Sequence, residues 1–102
     1  MRKTTKAVVT AFLAGERAAA SNTATDGTKL TLHGNTIAWK AGGGVITMTM
    51  AGYPTVTTRE RLNGVCQLAI GKRPFSQKRG VQIFNGRGIS AIDEVSIFVW
   101  EK

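Results

Sequence analysis

The segment Thr28-Lys29-Leu30-Thr31-Leu32-His33-Gly34-Asn35-Thr36-Ile37-Ala38-Trp39-Lys40 alternates apolar and polar residues on both sides of a Gly-Asn pair. Successive side chains of a strand point to opposite faces, so this alternation marks two strands with one buried face. A two-residue turn at Gly34-Asn35 pairs Leu32 with Ile37 and Leu30 with Trp39, all on one side. Ala41-Gly42-Gly43-Gly44 then reads as a second loop. It sets Trp39 opposite Ile46 and Ile37 opposite Met48, with Thr31, Thr47 and Thr49 outward. Two registers that agree on one apolar face predict an antiparallel β-meander. Upstream, Asp26-Gly27 is a hairpin-turn signal. Residues 18 to 24 supply an earlier strand whose Ala and Ser residues fix its register weakly.

Helical patterns flank the meander. Residues 4 to 14 carry Val8 and Phe12 four apart, widened by Val9 and Leu13, with Thr4 or Thr5 as cap and Gly15 as stop. Residues 57 to 64 open on Thr57-Thr58-Arg59-Glu60, which matches a capping box, in which a Thr hydroxyl and a Glu carboxylate satisfy free amides at a helix start. Leu62 and Val65 are its expected core contacts, and Gly64 ends it. Cys66–Ile70 and Val81–Phe84 then read as paired strands. Residues 95 to 100 form a last strand, apolar on both faces, which suits a central or covered position. The predicted fold is α+β: a single compact domain over residues 1–102, with an N-terminal helix, an antiparallel β-meander, a short second helix and a C-terminal three-stranded antiparallel segment.

One Cys in 102 residues excludes an internal disulfide, and one His beside it excludes the usual zinc constellations. A reducing compartment follows, with cytoplasm the default. No apolar run approaches the ~20 residues of a membrane span. Met1-Arg2-Lys3 resembles the start of an export signal. The apolar part from Ala7 to Ala14 is broken by Thr10 and runs into Gly15-Glu16-Arg17, so a helix of the folded domain is the preferred reading. Gly42-Gly43-Gly44 lacks the following Lys-Ser/Thr of a nucleotide loop. His33 has no recognisable triad partners, and Asp93-Glu94 is the only acidic pair. No metal, no cofactor and no enzymatic activity are expected.

The charge is more informative. Fourteen Lys and Arg against six Asp and Glu give +8, and from Arg59 to Arg87 seven basic residues face one acid, Glu60. They concentrate in Lys72-Arg73-Pro74-Phe75-Ser76-Gln77-Lys78-Arg79. A loop at 74 to 77 would pair Ile70 with Val81 and Leu68 with Ile83. The same register sets Lys72 opposite Arg79 and Arg73 opposite Lys78. Like charges facing one another destabilise a strand pair, so such a tip invites a polyanion. Lys72, Arg73, Lys78 and Arg79 would meet phosphates. Phe75 would stack on a base, wedge into a groove, or fold back into the core. Arg59 at the second helix and Arg87 on a Gly-flanked turn would flank the surface, whereas Arg61, two residues along the helix from Arg59, points about 200° away. The plain alternative is a hydrated loop whose cations discourage edge pairing.

Leu32-His33-Gly34-Asn35-Thr36-Ile37-Ala38, Gly52-Tyr53, Thr57-Thr58-Arg59-Glu60-Arg61-Leu62-Asn63 and Phe84-Asn85-Gly86 together resemble a group of small bacteriophage proteins of unassigned function. Tyr53 stands where Trp is expected in that pattern. The resemblance implies a viral origin and carries no activity. The expected function is non-enzymatic binding of DNA or RNA in the cytoplasm of the infected host. Modulation of a host defence or transcription protein, or a minor virion or assembly role, is the alternative.

Overall fold

The computed structural model describes residues 1–99. Helix α1 spans Lys3–Ala14, and strands β1 (Ala18–Ala20), β2 (Thr23–Thr25), β3 (Lys29–Leu32), β4 (Asn35–Gly42) and β5 (Val45–Met48) follow. Helix α2 is Val56–Ile70, and β6 (Phe75–Lys78), β7 (Val81–Phe84), β8 (Arg87–Ile89) and β9 (Val95–Phe98) complete the chain. A six-stranded antiparallel sheet has the order β1-β2-β3-β4-β5-β9, and a second sheet has the order β6-β7-β8. The α+β architecture is as expected. The expected three-stranded antiparallel segment after α2 is present as β6-β7-β8, while the last strand, β9, joins the larger sheet at its edge beside β5.

Helix α1 buries Thr5, Val8, Val9, Ala11 and Phe12, a single face at helical spacing, against β1 to β3. It ends at Gly15, as expected, with φ +75°. Its N-cap is Arg2, without a side-chain cap. Thr4 and Thr5 lie inside the helix, and Thr5 turns its hydroxyl to α2 instead.

The β3–β4 hairpin exists, but its turn is His33-Gly34, one residue earlier than Gly34-Asn35. Both turn residues are left-handed, at φ +51° and +80°, as a tight two-residue hairpin requires. Leu32 therefore pairs with Asn35 and Thr31 with Thr36. An irregularity between Leu30 and Thr31 then brings Leu30 opposite Ala38. The bulge lets both Ile37 and Ala38 be buried. It also turns Trp39 to the other face, where it pairs with Lys29 and Thr47 rather than with Leu30 and Ile46. Residues 18 to 24 make two strands rather than one, turning at Ser21 (φ +56°). Asp26 organises the next turn: its carboxylate accepts from the Thr28 and Lys29 N–H groups and the Thr28 hydroxyl. Those bonds hold its pKa well below the usual carboxylate range.

Helix α2 departs most from the sequence reading. It runs through Gly64 to a cap at Gly71, so Cys66–Ile70 is helical and the Ile70–Val81 and Leu68–Ile83 pairs do not form. Among its buried residues, Thr58, Arg61, Leu62, Val65 and Cys66 follow the i, i+3, i+4, i+7, i+8 spacing of a helix, with Asn63 and Gly64 buried beside them. The capping residue is Thr55, whose hydroxyl accepts from the Thr58 N–H at 3.1 Å. Glu60 is therefore not the far side of a capping box; it faces α1.

Gly64 permits the close approach of the two helices. A Cβ there would stand 2.3 Å from Thr5 Cγ2. Alanine favours a helix by about 1 kcal/mol over glycine, but Thr5 is fully buried and its hydroxyl is engaged by Glu60 and Arg61. Gly64→Ala is expected to lower stability by about 1–3 kcal/mol in urea unfolding. Thr5→Ser removes the obstructing methyl and keeps the hydroxyl, so a double-mutant cycle should recover most of that loss.

The core is one cluster from Val8 and Phe12 through Leu30, Ile37, Met48 and Leu62 to Phe75, Phe84 and Ile97. It joins both helices to both sheets. β9 contributes Ile97 and leaves Phe98 exposed, an edge strand rather than a central one. Trp100, expected at the end of that strand, lies outside the described residues.

Candidate nucleic-acid interface

The small sheet is built on two turns of one kind. Arg79-Gly80 (φ +51°, +78°) joins β6 to β7, and Asn85-Gly86 (φ +51°, +80°) joins β7 to β8. The register is Phe75↔Phe84 and Lys78↔Val81. Residues 75 to 77 of the expected tip thus belong to a strand, and the facing pairs Lys72–Arg79 and Arg73–Lys78 do not occur. Strand β6 separates them instead: Lys72 and Arg73 precede it, while Lys78 ends it and Arg79 begins the turn. Arg73 and Lys78 are five residues apart, up to about 16 Å at ~3.3 Å per extended residue.

Lys72, Arg73, Lys78, Arg79 and Arg87 are all exposed. Arg73 Nη1 donates to Gln67 Oε1 at 2.7 Å, fixing that cation beside the last turn of α2, where a positive charge is favourable. Arg87 opens β8 opposite Phe84. The Asn85 N–H donates to Pro74 O at 3.1 Å, so the β7–β8 turn and Arg87 lie at the Arg73 end of the sheet. The cations therefore occupy both ends of the sheet rather than one fingertip. No Asp or Glu occurs from Arg61 to Ile92. The one ion pair among the described residues is Arg61–Glu60, so none of the five cations is neutralised by a carboxylate there.

Two expected site residues are placed elsewhere. Phe75 is 4% exposed, its ring centroid 4.9 Å from that of Phe84 at 57°. It takes the core alternative, because strand alternation from the Arg79-Gly80 turn points it at α2. Stacking on a base or wedging into a groove is closed to it. Arg59 reaches inward: Nη1 lies 3.1 Å from Pro54 O, 2.9 Å from Gln77 Oε1 and 2.8 Å from Gln82 Oε1. It holds the start of α2 to the small sheet.

Arg61 has a role that its sequence context does not mark. Its guanidinium is buried and donates to Thr23 Oγ1 at 2.8 Å, Thr5 Oγ1 at 2.7 Å, Asn22 Oδ1 at 3.3 Å and Glu60. It joins α1, α2 and the β1–β2 turn. A basic residue among many basic residues carries no sequence mark of burial. Cys66 is fully buried, and burial pushes its thiol pKa up to about 12, so it is a small core residue with little thiolate character. Among the described residues no three His, Cys, Asp or Glu side chains come together as a metal site, and no helix is long and apolar enough to cross a membrane.

These features define a small basic α+β protein whose second sheet is cationic and free of acid. Residues 1–101 match the family model described as Kyanoviridae Gp96 protein, and the chain belongs to that family, which makes it a phage protein. Comparison with curated proteins and with solved structures finds no significant match.

Proposed function

We propose that this phage protein binds nucleic acid without catalysis, mainly through phosphates, in the cytoplasm of the infected host. Lys72, Arg73, Lys78, Arg79 and Arg87 are the backbone contacts. The observation that carries the reading is the set of five exposed cations on a segment with no acidic residue from Arg61 to Ile92. Each neutralised phosphate releases condensed counterions, so affinity falls steeply with salt. The split of the basic pairs favours a backbone laid along β6 over one gripped at a fingertip.

Binding to single- and double-stranded DNA and RNA is measured across a salt series. The slope of log K against log salt is expected to shrink by about 3–4 in the Lys72/Arg73/Lys78/Arg79→Ala variant, at about 0.7–0.9 per phosphate contact. An unchanged slope, or no binding of any nucleic acid at low salt, overturns the reading.

A further inference from the structure

The cleft between the β3–β4 turn and the start of α2 has a volume of about 480 Å³. That is within the range of small-ligand sites. Its floor is Leu32, Ile37 and Met50, all buried. Its rim is polar: His33, Asn35, Tyr53 and Thr57. Asn35, Tyr53 and Thr57 make no side-chain hydrogen bond among the described residues, so their donors and acceptors are free for a ligand. Tyr53 is 55% exposed, and its backbone is set by a tight turn in which the Tyr53 N–H donates to Met50 O and the Gly52 N–H to Ala91 O. Among the described residues, no Lys, Arg, Asp or Glu lines the cleft.

An apolar floor with an aromatic wall and a neutral hydrogen-bonding rim suits a flat, uncharged ring with polar edges. The charges of such a ligand must lie outside, and one cation, Arg59, is held beside Tyr53. Arg59 hydrogen-bonds Pro54 O beside Tyr53 and also reaches Gln77 and Gln82. Gln77 and Gln82 are one register step from Lys78↔Val81 and the Arg79 turn. Arg59 thus ties the segment that carries Tyr53 to the strand pair that ends in the basic turn.

We propose that this cleft is a nucleobase pocket, taking one unpaired base of a single strand whose phosphates meet Lys78 and Arg79. It rests on the nucleic-acid reading above and assigns to Tyr53 the stacking role that Phe75 cannot fill. The chemistry also selects single strands, because a base must be unpaired and unstacked to leave the duplex for a side pocket.

The test compares wild type, Tyr53→Ala, Tyr53→Phe and Lys78/Arg79→Ala on homopolymeric single-stranded DNA and RNA and on a duplex of equal length. Base–aromatic stacking is worth about 1–3 kcal/mol, so Tyr53→Ala is expected to weaken single-strand binding about 5- to 150-fold with its salt slope unchanged. Tyr53→Phe keeps most of the affinity, and Lys78/Arg79→Ala lowers the slope. Wild-type single-strand affinity retained in Tyr53→Ala overturns the pocket while leaving the phosphate reading intact. No binding by wild type overturns both, and an equal Tyr53→Ala loss on duplex overturns the single-strand assignment.

Discussion

Arg61→Ala is expected to cost about 3–5 kcal/mol of stability, read as a lower urea midpoint, because it removes a buried guanidinium and leaves the half-buried Glu60 carboxylate without its cation. Arg61 is 3% exposed, and its four acceptors come from three parts of the fold. Thr5 lies on α1, Glu60 on α2, and Asn22 and Thr23 at the β1–β2 turn. Arg61→Lys should recover only part of the loss, since an ammonium cannot reproduce the planar fork that reaches these groups at once. Glu60 makes the effect dependent on pH. Burial pushes its pKa up, but hydrogen bonds from the Thr5 hydroxyl, the Arg2 N–H and Arg61, together with the charge of Arg61, outweigh that and hold it below 4.5. A carboxyl depressed by folding contributes fully above its unfolded pKa and loses that contribution as pH falls through the folded value. Wild-type stability should therefore drop below pH 4.5, and Glu60→Gln should flatten part of that drop. Asp26 titrates low for its own reasons and leaves the remainder.

The parts of the fold that were legible in the sequence are those where one residue type fixes the backbone. Gly15 stops α1, Asp26-Gly27 turns β2 into β3, and the alternation from Thr28 to Lys40 forms a hairpin. Register was less legible, because an apolar alternation cannot show which of two neighbouring core residues, Ile37 or Ala38, lies beside a bulge. Gly64 misled for a physical reason. Glycine marks both helix ends and close helix contacts, and only the position of Thr5 in space separates the two. The spacing of Thr58, Arg61, Leu62, Val65 and Cys66 was the signal that α2 continues, but it is obscured by a polar first half. At the candidate site, the exposure of the five cations followed from their charge. The partners of Arg59 and Arg61 did not, since a guanidinium is placed by long-range neighbours such as Gln82 and Thr23.

Phe75→Ala is expected to lower stability by about 3–5 kcal/mol, the usual loss when a buried Phe is truncated and its cavity cannot collapse. Collapse is hindered here because Asn63 fixes the backbone on both sides of the ring. Its Nδ2 donates to Phe75 O, and its Oδ1 accepts from the Phe75 N–H, both at 2.8 Å. Asn63 is itself buried on α2, so it acts as one rung of strand pairing supplied by a helix. The start of β6 cannot drift inward to fill the space, and Phe84 loses its ring partner. Phe75→Leu conserves most of the volume and should cost under about 1.5 kcal/mol. That milder variant separates a core residue from a ligand-stacking one. Folded Phe75→Leu protein is expected to bind single-stranded nucleic acid with wild-type affinity at fixed salt, whereas folded Tyr53→Ala is not. A Phe75→Leu protein with a wild-type urea midpoint and lost affinity would return the ring to the interface, and it would do so against the direction in which the Arg79-Gly80 turn aims every second side chain of β6.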